Sequence, residues 1–149
     1  MSVTVRDNGA ARLVRTVGSG PGSVDVGALG PRATAQHGDS GVTVAQVLEW
    51  AEFGIGQPMR SWLRDWIDQS QAEILAVQRV EYAKVLRGAQ TKDQALARIG
   101  VWMVGQIQAR IASGIAPANA ESTIRQKGSS TPLIDTGQAR SSIASRVNR

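Results

Sequence analysis

The 149-residue chain contains no cysteine, one histidine, one tyrosine and one phenylalanine. Without cysteine there are no disulfides, thiolate metal sites or cysteine nucleophiles. One histidine, His37, excludes most histidine-based zinc sites and any mechanism needing a second imidazole. No run of about 18 apolar residues occurs, so no transmembrane helix and no membrane partner are expected. The first seven residues lack a basic stretch followed by an apolar core and do not read as a signal peptide. The chain is expected to be made and kept in the cytoplasm of its host cell.

What is present is 42% hydrophobic, mostly Ala and Val, with four Trp as the large apolar anchors. This composition predicts helices packed through small residues, and the length favours a single domain over 1–149. The net charge is +5, and from Arg110 onward six basic residues stand against two acids. Such a basic region suits nucleic acid or an acidic protein partner, or serves as a solubilising surface.

Punctuation residues divide the chain. Ser2–Val5 alternates like a short strand, and Gly9–Val17 has a helical apolar face. Gly18 to Gly22 is a turn; it lacks the Gly-Lys-Ser/Thr ending of a phosphate loop. Ser23–Leu29 reads as a strand, and Gly30–Gly41 as a flexible polar loop carrying an exposed His37. Thr43, followed by Gln46, predicts a capping box opening a helix that buries Val44, Val47, Leu48 and Ala51 and ends at Gly54. A long helix is expected from Ser61 to Leu86, with Leu63, Trp66, Ile67, Ile74 and Val77 on one side. Thr91 and Gln94 predict a second capping box, opening a helix that runs to Gly114. Its stripe is Leu96, Ile99, Met103, Ile107 and Ile111, with Arg110 at the edge. The last two helices should pair as an antiparallel hairpin. A short helix over Glu121–Gln126, a flexible 127–131 loop, a helical turn capped by Asp135 or Thr136, and a strand over Ile143–Val147 complete the reading. The expected fold is α+β: a small, mainly antiparallel sheet packed with helices that include the long hairpin.

The residues offer little chemistry. Glu49 and Glu52, and likewise Asp65 and Asp68, lie three apart and read as solvated or interface faces, Glu52 also as a contact near the helix cap. Ser141 and Ser142 have no histidine base. The expectation is no enzyme, with no catalytic residue, no metal ligand and no cofactor. The Trp residues occupy apolar helix positions, as core or interface anchors do.

Four segments together resemble a phage neck and tail-completion family, a group that includes the lambda-type minor tail protein Z. Pro132-Leu133-Ile134-Asp135-Thr136-Gly137-Gln138-Ala139-Arg140-Ser141-Ser142-Ile143 is similar to its C-terminal signature. Glu52-Phe53-Gly54 followed by Pro58-Met59-Arg60 resembles its Glu-Phe-Gly and Pro-x-Arg motif. Asn119, Ser122-Thr123-Ile124 and Lys127-Gly128 resemble a third series, and Val24–Gly27 an early strand. The chain departs at Ala51, where Asn is frequent, at Ser61-Trp62, where Pro-Phe is, and at Ala139, where Leu is usual.

The resemblance implies a structural virion protein made in the host cytoplasm and located in the neck or tail. It would form a homo-oligomeric ring, a hexamer rather than a dodecamer, at the head–tail junction or the upper end of the tail. Its implied partners are head-closure or connector proteins, tail terminator or tail tube proteins, and genomic DNA in the lumen without sequence specificity. Arg60 and Arg140 are read either as forks for acids of a neighbouring subunit or as solvated or intrachain pairs. Arg125, Lys127 and Arg146 are read as lining a DNA channel or an interface. The alternative is a DNA-binding module using the basic C-terminal region.

Overall fold

A computed structural model describes residues 22–39, 41–127, 133 and 137–148, the side chains of 126 and 127 apart. Ser2–Val5, Gly9–Val17, most of the 127–131 loop, and Pro132, Asp135 and Thr136 lie outside the described residues. The described elements are strand β1 (Ser23–Ala28), helices α1 (Pro31–Thr34), α2 (Val44–Phe53), α3 (Arg64–Gln69), α4 (Gln71–Leu86), α5 (Lys92–Ser113), α6 (Glu121–Lys127) and α7 (Gln138–Ser141), and strand β2 (Ile143–Asn148). The fold is α+β, with a two-stranded antiparallel sheet and a long helix pair, α4 and α5.

Both predicted capping boxes form. Thr43 accepts from the Gln46 amide and Thr91 from the Gln94 amide, while each Gln side chain returns to the capping residue's own N–H. Each box satisfies two backbone donors that a helix start otherwise leaves without partners. Gly54 closes α2 in the left-handed region at φ 70°. A side chain there is strained, and its Cβ would also sit 3.1 Å from that of Met59.

β1 and β2 join the two ends of the described chain, from Ser23 opposite Asn148 to Ala28 opposite Ile143. Alternation puts Val24, Val26 and Ala28 on the same face as Ile143, Ser145 and Val147. This face lies on α5 at Gly100, where a Cβ would come within 2.8 Å of the Ser145 Cβ and of a Val24 methyl. The core gathers Val44 and Leu48 of α2, Trp62, Trp66 of α3, Ile107 and Ile111 of α5, Ile115, Ala139 of α7 and Ile143 of β2. Trp66 meets Trp102 in a tilted pair with centroids 6.0 Å apart, a favoured aromatic geometry.

Two expectations need correction. The helix expected over Ser61–Leu86 begins at Arg64 and is interrupted at Ser70, whose φ of −104° and ψ of 13° leave the helical region. Trp66 of α3 enters the core, and Ile67 and Ile74, on either side of the break, both pack against it. Gly30–Gly41 is not wholly loop. Pro31 starts the short α1, as suits a residue with no N–H to satisfy, and Gln36 bridges to Thr43. α7 follows Gly137, its N-cap, at φ 77°; the expected capping by Asp135 or Thr136 lies outside the described residues.

Replacing Gly100 by Ala tests the sheet–helix contact. Helix propensity favours Ala by about 1 kcal/mol. Overpacking against Ser145 and Val24 opposes it by about 1–3 kcal/mol. The expected outcome is net destabilisation, read as a lower urea midpoint; a raised midpoint would show that β2 is not seated on α5.

Candidate functional site

The Glu-Phe-Gly and Pro-x-Arg segment builds the most organised polar site among the described residues. Glu52 sits one residue before the end of α2, and only 4% of its surface is exposed. It is not the solvated acid that its spacing from Glu49 suggests. Its carboxylate accepts from the Ser61 hydroxyl at 2.7 Å, the Trp62 N–H at 2.9 Å and the Leu63 N–H at 3.0 Å. It also accepts from the Arg64 N–H at 3.1 Å and from Arg64 Nε at 2.9 Å. Three of these donors are the backbone amides that lead into α3, so Glu52 caps that helix from outside its own sequence.

Burial by itself pushes the Glu52 carboxyl up. The hydrogen bonds from Ser61, the Leu63 backbone and Arg64 outweigh it, and the group lies below its ordinary value of 4.5. An acid held ionised in this way is poorly suited to donating a proton near neutrality. Arg64 also reaches the Glu52 carbonyl at 3.0 Å and places its guanidinium 4.5 Å from the centroid of the Phe53 ring. Phe53 itself is 55% exposed. Trp62 donates its indole N–H to the Leu48 carbonyl at 3.0 Å, and the Arg60 N–H reaches the Ala51 carbonyl at 2.7 Å.

Arg60 is buried, and its fork turns inward. Nε donates to the Pro117 carbonyl at 2.8 Å; Nη2 donates to the Ala118 carbonyl at 3.3 Å and to Asn119 Oδ1 at 3.4 Å. Of the two readings of Arg60 the intrachain one fits these contacts, with carbonyl and amide oxygens in place of a carboxylate, and they hold the connection after α5. Pro58 and Arg60 border a cavity of about 300 Å³ together with Asn119 and Thr123, Leu133 and Ala139, and His37. His37, read as exposed, is half-buried here.

The other nominated residues lie elsewhere. Gly137 precedes α7 and Arg140 is exposed on it. Arg125 is exposed and 3.8 Å from Glu121, and Arg146 is 3.0 Å from Asp25. Exposed pairs of this kind contribute little stability, but they give both cations an acid within their own chain. Lys127 is the last residue of α6 rather than the first of a loop. Among the described residues no group of three His, Asp or Glu side chains is placed to hold a metal ion, and no helix is long and apolar enough to cross a membrane.

Sequence reasoning missed the importance of Ser61 and Arg64. The only signal was that Ser61-Trp62 departs from the Pro-Phe of the resembled family, and a Pro at 61 would lack the hydroxyl that Glu52 accepts from. No protein-family model, no curated protein and no solved structure matches the chain.

Two outcomes follow. Glu52→Ala strands the amides entering α3 and should destabilise the fold by about 1–3 kcal/mol, the range for leaving a buried donor unsatisfied, since the Arg64 left behind is half exposed. Because the folded pKa is depressed, the carboxylate's contribution is complete above about pH 4.5 and fades as pH falls from there towards the folded value. Glu52→Gln should therefore be less stable at neutral pH and show a flatter loss on acidification, measured by urea unfolding across pH. Arg60→Lys should lower stability by about 1–3 kcal/mol, because an ammonium cannot reproduce the fork. Amide exchange over Ala118–Ala120 should accelerate; unchanged exchange would show that Arg60 does not hold this segment.

Proposed function

We propose that this chain is a structural virion protein of a tailed bacteriophage rather than an enzyme. It forms a ring at the head–tail junction or the upper end of the tail, completes the tail and lets DNA pass. A head-to-tail contact that closes on itself produces such a ring, and six copies match the usual symmetry of a tail. Head-closure or connector proteins dock on one side, and tail terminator or tail tube proteins on the other.

One observation carries the reading. Three of the segments that resemble the neck and tail-completion family are far apart in sequence yet border one small cavity: Pro58 and Arg60, Asn119 and Thr123, and Leu133 and Ala139. Arg60 and Asn119 are hydrogen-bonded to each other. Chance matches to short motifs have no reason to meet in space, whereas parts of one inherited joint do. The buried, ionised Glu52 and the inward Arg60 also suit a structural joint better than a reactive centre.

The DNA-binding alternative draws on the same basic C-terminal region, but the acids beside Arg125 and Arg146 offset part of its charge. It requires salt-sensitive duplex binding by the isolated monomer.

Electron microscopy of purified virions carrying this chain tests the proposal. Sixfold density at the head–tail junction or the upper tail is expected. Density in the capsid shell or the baseplate would overturn it.

A further inference from the structure

A second concavity, distinct from the Glu52–Arg60 region, opens where β1, α7 and β2 converge. It encloses about 840 Å³, and its lining includes Leu29, Pro31, Arg32, Arg140, Ile143 and Arg146. Three arginines face one groove, and among the described residues no carboxylate lines it. Arg32 and Arg140 are exposed, and Arg32 rests one Nη at 3.5 Å from the Ser141 carbonyl. Arg146 shares Asp25 on the neighbouring strand.

The groove also borders an open sheet edge. The Leu29 N–H donates to the Ser142 carbonyl, which marks that couple as hydrogen-bonded partners. In an antiparallel ladder bonded and non-bonded couples alternate, so Ile143, Ser145 and Val147 turn their backbone groups away from β1. The Gln108 side chain donating to the Ile143 carbonyl at 3.4 Å fits that orientation. No other described strand pairs with this edge. Ile143 and Ser145 both line the groove.

We propose that this groove receives an extended acidic segment of a partner protein, which adds as a third strand along the outer edge of β2. Its carboxylates meet Arg32 and Arg140, whose planar forks suit that group. Its alternate apolar side chains rest on the floor formed by Leu29 and Pro31, and the main-chain bonds follow the strand-addition mode of peptide recognition. A nucleic acid fits less well. Among the described residues no aromatic side chain lines the groove to stack a base, and duplex phosphates would use neither the apolar floor nor the strand edge. The inference stands whether or not the partner is another virion component.

Fluorescence anisotropy of the full-length chain tests it, using a labelled peptide of alternating Glu and Val, the same peptide with Gln for Glu, and a duplex DNA. The acidic peptide should bind, the Gln peptide should not, and the Arg32→Gln/Arg140→Gln double variant should weaken binding by about tenfold or more. Both sites are exposed, so circular dichroism of the variant should be unchanged. Amide exchange at Ser145 and Val147 should slow when the acidic peptide is bound. The proposal is overturned if the acidic peptide does not bind, if it binds the double variant equally well, or if the duplex alone binds through these arginines.

Discussion

The arrangement around the first family-like segment depends on one carboxylate. Glu52 leaves the end of α2 and takes hydrogen bonds from Ser61, Trp62, Leu63 and Arg64. Those donors sit at the start of α3, where backbone N–H groups have no helical partner. Burying a carboxylate is costly unless it is well supplied with donors, and here the supply comes from a helix entrance that itself needs an acceptor. Each side removes the other's penalty. The chain between Gly54 and Arg60 must then reverse tightly, and the left-handed Gly54 makes this possible.

Much of the surrounding packing follows. With α2 and the start of α3 tied together, Trp62 lies over Leu48 and Trp66 enters the core beside Trp102. Arg60 emerges from the same reversal pointing at Pro117–Asn119, so the connection after α5 is held at the place where the reversal delivers a guanidinium. Arg110 of α5 adds a further tie, donating to the Ser61 carbonyl at 3.1 Å. Glu52 and Arg60 are both satisfied by groups of their own chain, Arg60 reaching the family-like Asn119 among them, and this is why the segment reads as a joint. The arginine-rimmed groove beside β2, proposed above to receive a partner, lies apart from this region.

Local signals were legible in the sequence, and non-local ones were not. Thr43/Gln46 and Thr91/Gln94 announce their helices because a capping box is complete within four residues. The strands at Ser23–Ala28 and Ile143–Asn148 show in their alternation. The break at Ser70 is hidden because apolar spacing continues across it, Ile67 and Ile74 packing against the same core. Glu52 looked like a surface acid because its donors begin nine residues later and most are backbone amides, which any residue but proline supplies. The partners of Arg60 were not legible because they are carbonyls more than fifty residues away, which leave no mark in composition or charge pattern.

If the Glu52 carboxylate is the anchor of this joint, its ionised form must be held more tightly folded than unfolded. A site-resolved NMR titration of the Glu52 side-chain carbon in the folded protein measures this directly. The account predicts a midpoint below the ordinary value of 4.5. A midpoint at or above that value would mean that the donors do not hold the carboxylate. Glu52 would then be a desolvated acid of the kind suited to proton transfer, and the structural reading of this segment would fail.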